Sequence, residues 1–545
     1  MKGKLLAILV GISMIFSMTG CGNSGNVKEE NVVQNNTQSE TENSSEESGS
    51  EPITIKGWGA FTFDEQSGIT SYNEQLIWKE VENRLNIKVD WTTVPAADKS
   101  TLFSLAMSDS GNLPDFIVDM SPLIYEEFGR AGALIALNDY ITPEKMPNLY
   151  GLMEEYPDAR ASITSADGNI YFFPRIMEVA TRYWSGWFIR EDFLEEAGLS
   201  VPTTTDEFYD AMVAIRDNVE TVNYPVDMNM ESLKTLVWSW NVGARGTGTS
   251  TTDDAYLKDG EIAYGPTEDA YREALIYLNR LYEDGLLNPD WNSLTSNDIR
   301  TDVLNQSTAI AEGSFSGVLS TYNSLLMEDG QGEALTYMDP LYGPDGTRTR
   351  QGHHTVLDVG YGGAISSTCS NVDAVIEMVD YLYSEEGRTL VYWGVEGETY
   401  VKNGDSYEFT EEVTSSPLGV LNYLNSFSAN TSMYPSAQPK DFYHATLSDL
   451  AKEGNESITE IGEATDIRMP ALRYSEDEIT EVNTISTDLN AYVDENFANF
   501  VNGVIDVEDD GAWQSYLDGF GALRLDELLS YHQAAYERWL AIAGE

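Results

Sequence analysis

From Ile53 to Asp119 the apolar residues switch repeatedly between a period of two and a period near four, and this switching constrains the fold most. Ile53-Thr54-Ile55-Lys56-Gly57-Trp58 alternates as a strand does. Over 72–85, Ile77, Val81 and Leu85 fall four apart on one helical face. Ile87, Val89 and Trp91 alternate again, 98–108 has helical spacing, and 115–119 is a short, nearly continuous apolar strand. Parallel strands need crossover connections of this length, so the pattern predicts βαβ units and a largely parallel, buried sheet: an α/β fold. Ligands of such sheets sit beyond the carboxyl ends of the strands, which makes Trp58 and Asp119 candidates for a crevice.

A second set of elements starts near Trp187. Thr204 and Glu207 have capping-box spacing, followed by Phe208, Met212 and Ile215 on one face. A helix is predicted over 268–284, ending at Gly285, and helices dominate after about 370. The last, over 523–542, carries Leu525, Leu528, His532, Ala535, Tyr536 and Trp539 at core spacing. A chain of 545 residues exceeds one core, so two or more lobes are expected. Ninety acidic against 31 basic residues, a net charge of −59, argue against nucleic acid as a partner, because phosphates need basic contacts. The acidity reads as a device for solubility.

The chain opens with Lys2 and Lys4, then an apolar run from Leu5 to Phe16, too short for a comfortable span. This is the pattern of a signal peptide over 1–20, and Ser17-Met18-Thr19-Gly20-Cys21 resembles the lipobox of bacterial lipoproteins. That resemblance implies lipidation of Cys21 and retention at the extracellular face of the cell membrane. Residues 21–51 hold too few apolar side chains to order themselves, and as a flexible tether they would reach about 30 Å. Retention by a lipid suits a cell without a periplasm, so a Gram-positive source is expected. Cys369 is then the only other cysteine, and no disulfide framework is expected.

Several ordered stretches carry a wider resemblance. They are Gly111-Asn112-Leu113-Pro114-Asp115-Phe116 with Gly132-Ala133-Leu134, then Asp167-Gly168-Asn169-Ile170-Tyr171-Phe172-Phe173-Pro174. Phe188-Ile189-Arg190-Glu191-Asp192 with Gly198 and Pro202 follows, and then Ser384-Glu385-Glu386-Gly387 with Trp393-Gly394-Val395-Glu396-Gly397. Together they resemble the extracellular solute-binding proteins of carbohydrate ABC importers. The class includes maltose-binding protein, and the likeness is greatest to its large aldouronate and oligosaccharide receptors. The resemblance implies a two-lobed, type II periplasmic-binding-protein fold with a hinge, its lobes closing on the ligand. It places 52–180 and 358–397 in the N-terminal lobe, and 181–357 with 398–545 in the C-terminal lobe. It also implies an oligosaccharide or glycoside ligand, transmembrane permease subunits as partners, a monomer and no catalysis. Large members often carry an acidic calcium loop; residues 217–225 lack its glycine and its alternating oxygen ligands, so no metal and no cofactor are expected.

Sugar rings offer C–H faces to aromatics and rim hydroxyls to polar side chains. Trp58, flanked by Gly57 and Gly59, and Phe61 are candidates on the first strand's end, with Asp119 as a hydroxyl acceptor. Near the crossing, the resemblance implies a contact at Trp184, beside Arg175, Glu178 and Arg182, which would serve a ligand or form hinge ion pairs. It matches Trp240 to a ring-stacking aromatic, places Phe315 where an aromatic contact lies, and puts Tyr361 at the return crossing. The four histidines have no zinc spacing, and Gly313-Ser314-Phe315-Ser316-Gly317 has Phe315 where a nucleophilic serine would stand. A surface glycoside hydrolase, needing two facing carboxylates, and a peptide receptor on a similar scaffold remain the alternatives.

Overall fold

The structure is a computed structural model, and it describes residues 51–544 apart from 62–66, 178–182, 247–252, 352–356 and the single positions 405, 417, 419, 430 and 432. Glu51–Glu545 is one compact unit by its contacts, and the stretch expected to form a signal peptide and tether, 1–50, lies outside the described residues.

The front half folds as its periodicity predicts. Strand β1 (Ile53–Ala60) pairs in parallel with β2 (Ile87–Val94) and β3 (Phe116–Val118), with helices Leu76–Leu85 and Lys99–Met107 as crossovers. The chain next forms β4 (Phe173–Met177) and crosses to a second sheet, made of β5 (Ser185–Arg190), β8 (Ile310–Ser314) and β9 (Leu335–Met338); between β5 and β8 the chain forms a separate hairpin of β6 (Ala255–Lys258) and β7 (Glu261–Tyr264). It returns as β10 (Leu357–Ile365), adds the hairpin β11 (Tyr400–Asn403) and β12 (Ser406–Phe409), and ends its sheet work with β13 (Ala437–Gln438). The larger sheet has the order β13-β4-β10-β3-β1-β2, and the smaller β8-β5-β9. The expectation of a largely parallel sheet holds for β1–β3 and for the short pair β13–β4. β10, on which the chain returns from the smaller sheet, runs antiparallel to β3 and β4, and β5 is antiparallel to both of its neighbours.

Each sheet organises its own core. Around the larger, Ile55, Trp58, Phe116, Phe172 and Val375 belong to one buried cluster. Residues Tyr400, Val413, Leu424, Tyr434 and Phe442 join it, although 398 onward was expected with the other lobe. The reason is an aromatic box. Trp78 donates from Nε1 to the Tyr434 hydroxyl at 3.0 Å, that hydroxyl donates to Gln75 at 2.7 Å, and Trp91 packs against both rings. In the smaller sheet the period of two divides β5 between two cores: Ile189 faces one with Phe208 and Trp238, and Phe188 faces another with Phe315 and Ile458. The long helices Glu476–Val501 and Leu525–Ala543 complete the first of these.

The predicted helix after Thr204 spans Thr205–Asn218, with Thr204 Oγ1 accepting from the Glu207 backbone N–H at 3.1 Å. The reciprocal half of the box is displaced by one residue, since the Glu207 carboxylate accepts from the backbone N–H and hydroxyl of Thr203.

Candidate functional site

The strands β5, β8 and β9 share one sheet end. Ser185 pairs with Ser314 and Trp187 with Met338, so the chain enters the smaller sheet and leaves it at the same edge. A cavity of about 30 Å³ opens there, lined by Trp187, Thr235, Trp238, Asp339 and Arg350 among others. Its walls are set by local structure. The short helix Met230–Lys234, capped by Asn229, runs into a 3₁₀ turn over Thr235–Trp240 that buries Trp238. Trp238 Nε1 donates to the Ala244 carbonyl at 2.9 Å, which fixes the indole plane. Trp187 donates to Thr235 Oγ1 at 2.8 Å, and that hydroxyl donates to the Ser232 carbonyl at 2.6 Å.

Arg350 is the cation of this site. Its guanidinium lies 4.8 Å from the centre of the Trp238 ring, and Nη2 donates to both the carbonyl and the hydroxyl of Ser185 at 2.9 Å. The residue is 4 % exposed, burial lowers its pKa, and Nε has no hydrogen-bond partner among the described residues. Asp339 takes a hydrogen bond from Ser457 at Oδ1, 2.7 Å away. The site therefore offers two indoles, one buried cation and one carboxylate: aromatic faces together with donors and acceptors.

The residues expected from sequence are distributed differently. Trp58 is 2 % exposed and meets Phe103 edge-on at 5.2 Å, inside the first core. Gly57 and Gly59 make room for rings of that core: a Cβ on Gly57 would stand 2.5 Å from the Trp91 ring, and one on Gly59 2.8 Å from Tyr72. Phe61 is half-buried and packs against Tyr72 at 6.0 Å. Trp240 packs against Tyr277 at 5.1 Å and Phe315 against Phe188 at 5.3 Å, both buried. Trp184 is half-buried, and its carbonyl accepts from the Phe315 N–H and the Tyr443 hydroxyl. Arg175 is buried in β4 and donates to the Gln438 side chain on β13. Glu178 and Arg182, the Tyr361 side chain and Cys21 lie outside the described residues.

Asp119 follows β3 in the left-handed region, at φ 66°, and is 2 % exposed. Lys99 Nζ stands 3.2 Å from its carboxylate, yet burial outweighs the lysine and raises the pKa to about 6. Asp119 and Lys99 thus form a partly compensated ion pair away from the cavity. Arg245 is held by Asp254 and Asp494.

Sequence reasoning passed over Thr235, Trp238, Asp339 and Arg350. A signal was present in Arg348-Thr349-Arg350: two arginines within three positions, in a chain with 31 basic residues, directly before the return crossing.

With this geometry in view, the comparisons define the class. Residues 67–389 match the family of bacterial extracellular solute-binding proteins, and the chain belongs to that family. Among curated relatives, the fructooligosaccharide ABC transporter substrate-binding protein FusA of Streptococcus pneumoniae is 25 % identical over 510 residues, 86 % of this chain and 88 % of FusA. FusA bound to kestose shares the fold with a TM-score of 0.68 at 21 % identity, covering 90 % of this chain and 99 % of FusA. A solute-binding protein of Bifidobacterium longum infantis, described as binding HMO, aligns with a TM-score of 0.71 at 19 % identity, over 90 % of this chain and 99 % of its own. The architecture is that of the two-domain solute-binding proteins.

Proposed function

We propose that this protein is the receptor of an ABC importer, which captures an oligosaccharide between two lobes and delivers it to the transmembrane permease. One observation carries the reading: paired indoles, Arg350 and Asp339 converge where the chain enters and leaves the smaller sheet. Indole faces suit the C–H side of a sugar, and the polar groups suit its rim. The cavity, about 30 Å³, is lined from the smaller-sheet side alone, and in this reading the other lobe closes over a sugar held at its mouth. The relative FusA is named for a fructooligosaccharide, which agrees with the ligand class.

The protein carries out no chemistry in this reading. Asp227, raised to about 7 by burial and by Asp302, lies in a closed interior and not across a cleft, unlike the paired carboxylates of a glycosidase. Cys21 carries the lipid, and residues 22–51 hold the receptor within reach of its permease. Thermal unfolding of the purified protein with a glycan panel, followed by chromatography of the sugars, tests the reading. A raised melting temperature with intact sugar is expected, and its loss in Trp187→Ala. Shortened products, or no shift with any glycan, sink it. Membrane retention that survives Cys21→Ala would remove the anchor.

A further inference from the structure

The cavity's indole wall rests on a short loop whose two ends meet one carboxylate. The 3₁₀ turn Thr235–Trp240 carries Thr235 and Trp238 to the cavity. Turns of this kind have poor hydrogen-bond geometry and depend on what holds them. Burial of Leu236, Val237 and Trp240 keeps the turn against its core, but apolar burial is non-directional and leaves its orientation open.

Direction comes from the ends. Lys234, directly before the turn, is fully buried, and its ammonium pairs with Asp494 Oδ1. Beyond the turn, the Ala244 carbonyl takes the Trp238 indole N–H, and the next residue, Arg245, donates from Nη2 to the same Asp494 oxygen at 2.7 Å. Asp254 fixes the rest of Arg245, accepting from its backbone N–H at 2.8 Å and from Nε at 3.0 Å. Asp494 belongs to the long helix Glu476–Val501 and stands outside the lining of the cavity. One oxygen on a long helix therefore ties both ends of the loop. Thr235 in turn receives the Trp187 indole N–H, so both indoles depend on this tie.

Resting on the receptor reading above, we propose that Asp494 is a positioning residue of the sugar site: from outside the cavity, through Lys234 and Arg245, it sets the two indoles on which the sugar lies.

The test compares two variants. Asp494→Asn removes the tie and leaves Lys234 as an unpaired buried charge, so it loses stability as well as binding. Adding Lys234→Met removes that charge and should restore much of the urea midpoint, so the double variant carries the test even where Asp494→Asn misfolds. Binding is read by calorimetric titration with whichever of gluco-, fructo-, xylo- and galacto-oligosaccharides raises the wild-type melting temperature most. Affinity should fall about 2- to 30-fold in Asp494→Asn, the range for residues coupled to a site through a network, and stay low in the double variant. A merely structural role would return affinity together with stability. A second readout needs no ligand. With fluorotryptophan incorporated, the fluorine resonances of Trp187 and Trp238, assigned through Trp187→Phe and Trp238→Phe, should shift in the double variant, while that of Trp58, in the other core, stays. Affinity that returns with stability, or unmoved Trp187 and Trp238 resonances, overturns the positioning role and leaves the receptor reading standing. If no glycan of the panel binds the wild type, the receptor reading falls and the positioning role with it.

Discussion

Arg473 Nε lies 3.3 Å from the Glu126 carboxylate, and the two residues come from different cores. Glu126 sits on the helix Pro122–Arg130 beside Tyr125 of the first core, whereas Arg473 follows Leu472 of the second. The same guanidinium donates from Nε to the Ser162 carbonyl at 2.5 Å, and Trp539 Nε1 donates to the Ser162 hydroxyl at 3.0 Å. Arg473, Ser162 and Trp539 thus fasten the C-terminal helix to the helix Pro157–Ile163.

Removing one partner of this pair should cost more than removing both. Burial raises the Glu126 pKa against the opposing pull of Arg473 and Arg130, so the carboxylate is only partly compensated. Arg473→Met should destabilise by about 3 kcal/mol in urea unfolding at pH 7. Adding Glu126→Gln should recover part of that loss. The deficit of Arg473→Met should also shrink as pH falls, because a carboxyl with a raised pKa takes up its proton and ceases to be an unpaired charge. A deficit independent of pH would show that lost packing, and not the ion pair, sets the cost.

The strand–helix alternation of residues 53–119 was legible because each element has one buried face and a period to match. The site was less so. Trp58, Trp240 and Phe315 look like ligand platforms in sequence, but a large aromatic packs equally well against Phe103, Tyr277 or Phe188, and nothing local separates the two uses. The two arginines of Arg348-Thr349-Arg350 mark the segment, but its partner Trp238, more than a hundred positions away in the chain, is brought against Arg350 only by the fold. The packing of Tyr434 into the first core was hidden for the same reason: its partners Trp78 and Gln75 are distant in sequence.

Gly57 separates a ligand-facing strand end from a core-facing one. A methyl group there would meet Trp91 at 2.5 Å and Val89 at 2.8 Å, inside a box that also holds Trp78 and Tyr434. Gly57→Ala should therefore lower stability by about 1–3 kcal/mol through overpacking, read as a reduced urea midpoint. Unchanged stability with weakened glycan binding would return Gly57 to the ligand.

His532 joins a buried chain: Nε2 is 3.0 Å from Asp253, Nδ1 is 2.7 Å from the Tyr474 hydroxyl, and Ser486 donates to the same carboxylate. Burial pulls the Asp253 pKa upward, but His532, the Ala255 N–H and Ser486 together hold it below the usual range. A depressed carboxylate adds stability above its unfolded pKa, and that stability is lost as pH falls through the folded value. His532→Leu should cost about 3 kcal/mol near pH 7. The deficit should narrow below about pH 4, where the unfolded carboxylate takes up its proton before the folded one does. Unfolding curves that stay parallel down to pH 3 would remove Asp253 from the explanation.

Asp119 has the opposite sign. Its pKa is raised from 3.8 to about 6, so its protonated form is favoured in the folded state. The associated stability is present below the unfolded pKa and is lost as pH rises through about 6. Asp119→Asn keeps the shape and abolishes the titration, and asparagine tolerates the left-handed backbone at φ 66°. The variant should match the wild type near pH 4 and exceed it by up to roughly 3 kcal/mol at pH 7.5, since two pKa units correspond to about that energy. Lys99, about one third exposed, keeps its hydration when the carboxylate is gone, so no new buried charge offsets the gain. Urea titrations across this pH window decide the matter, and a variant less stable than the wild type at pH 7.5 would mean that the Lys99 pair outweighs the burial of Asp119.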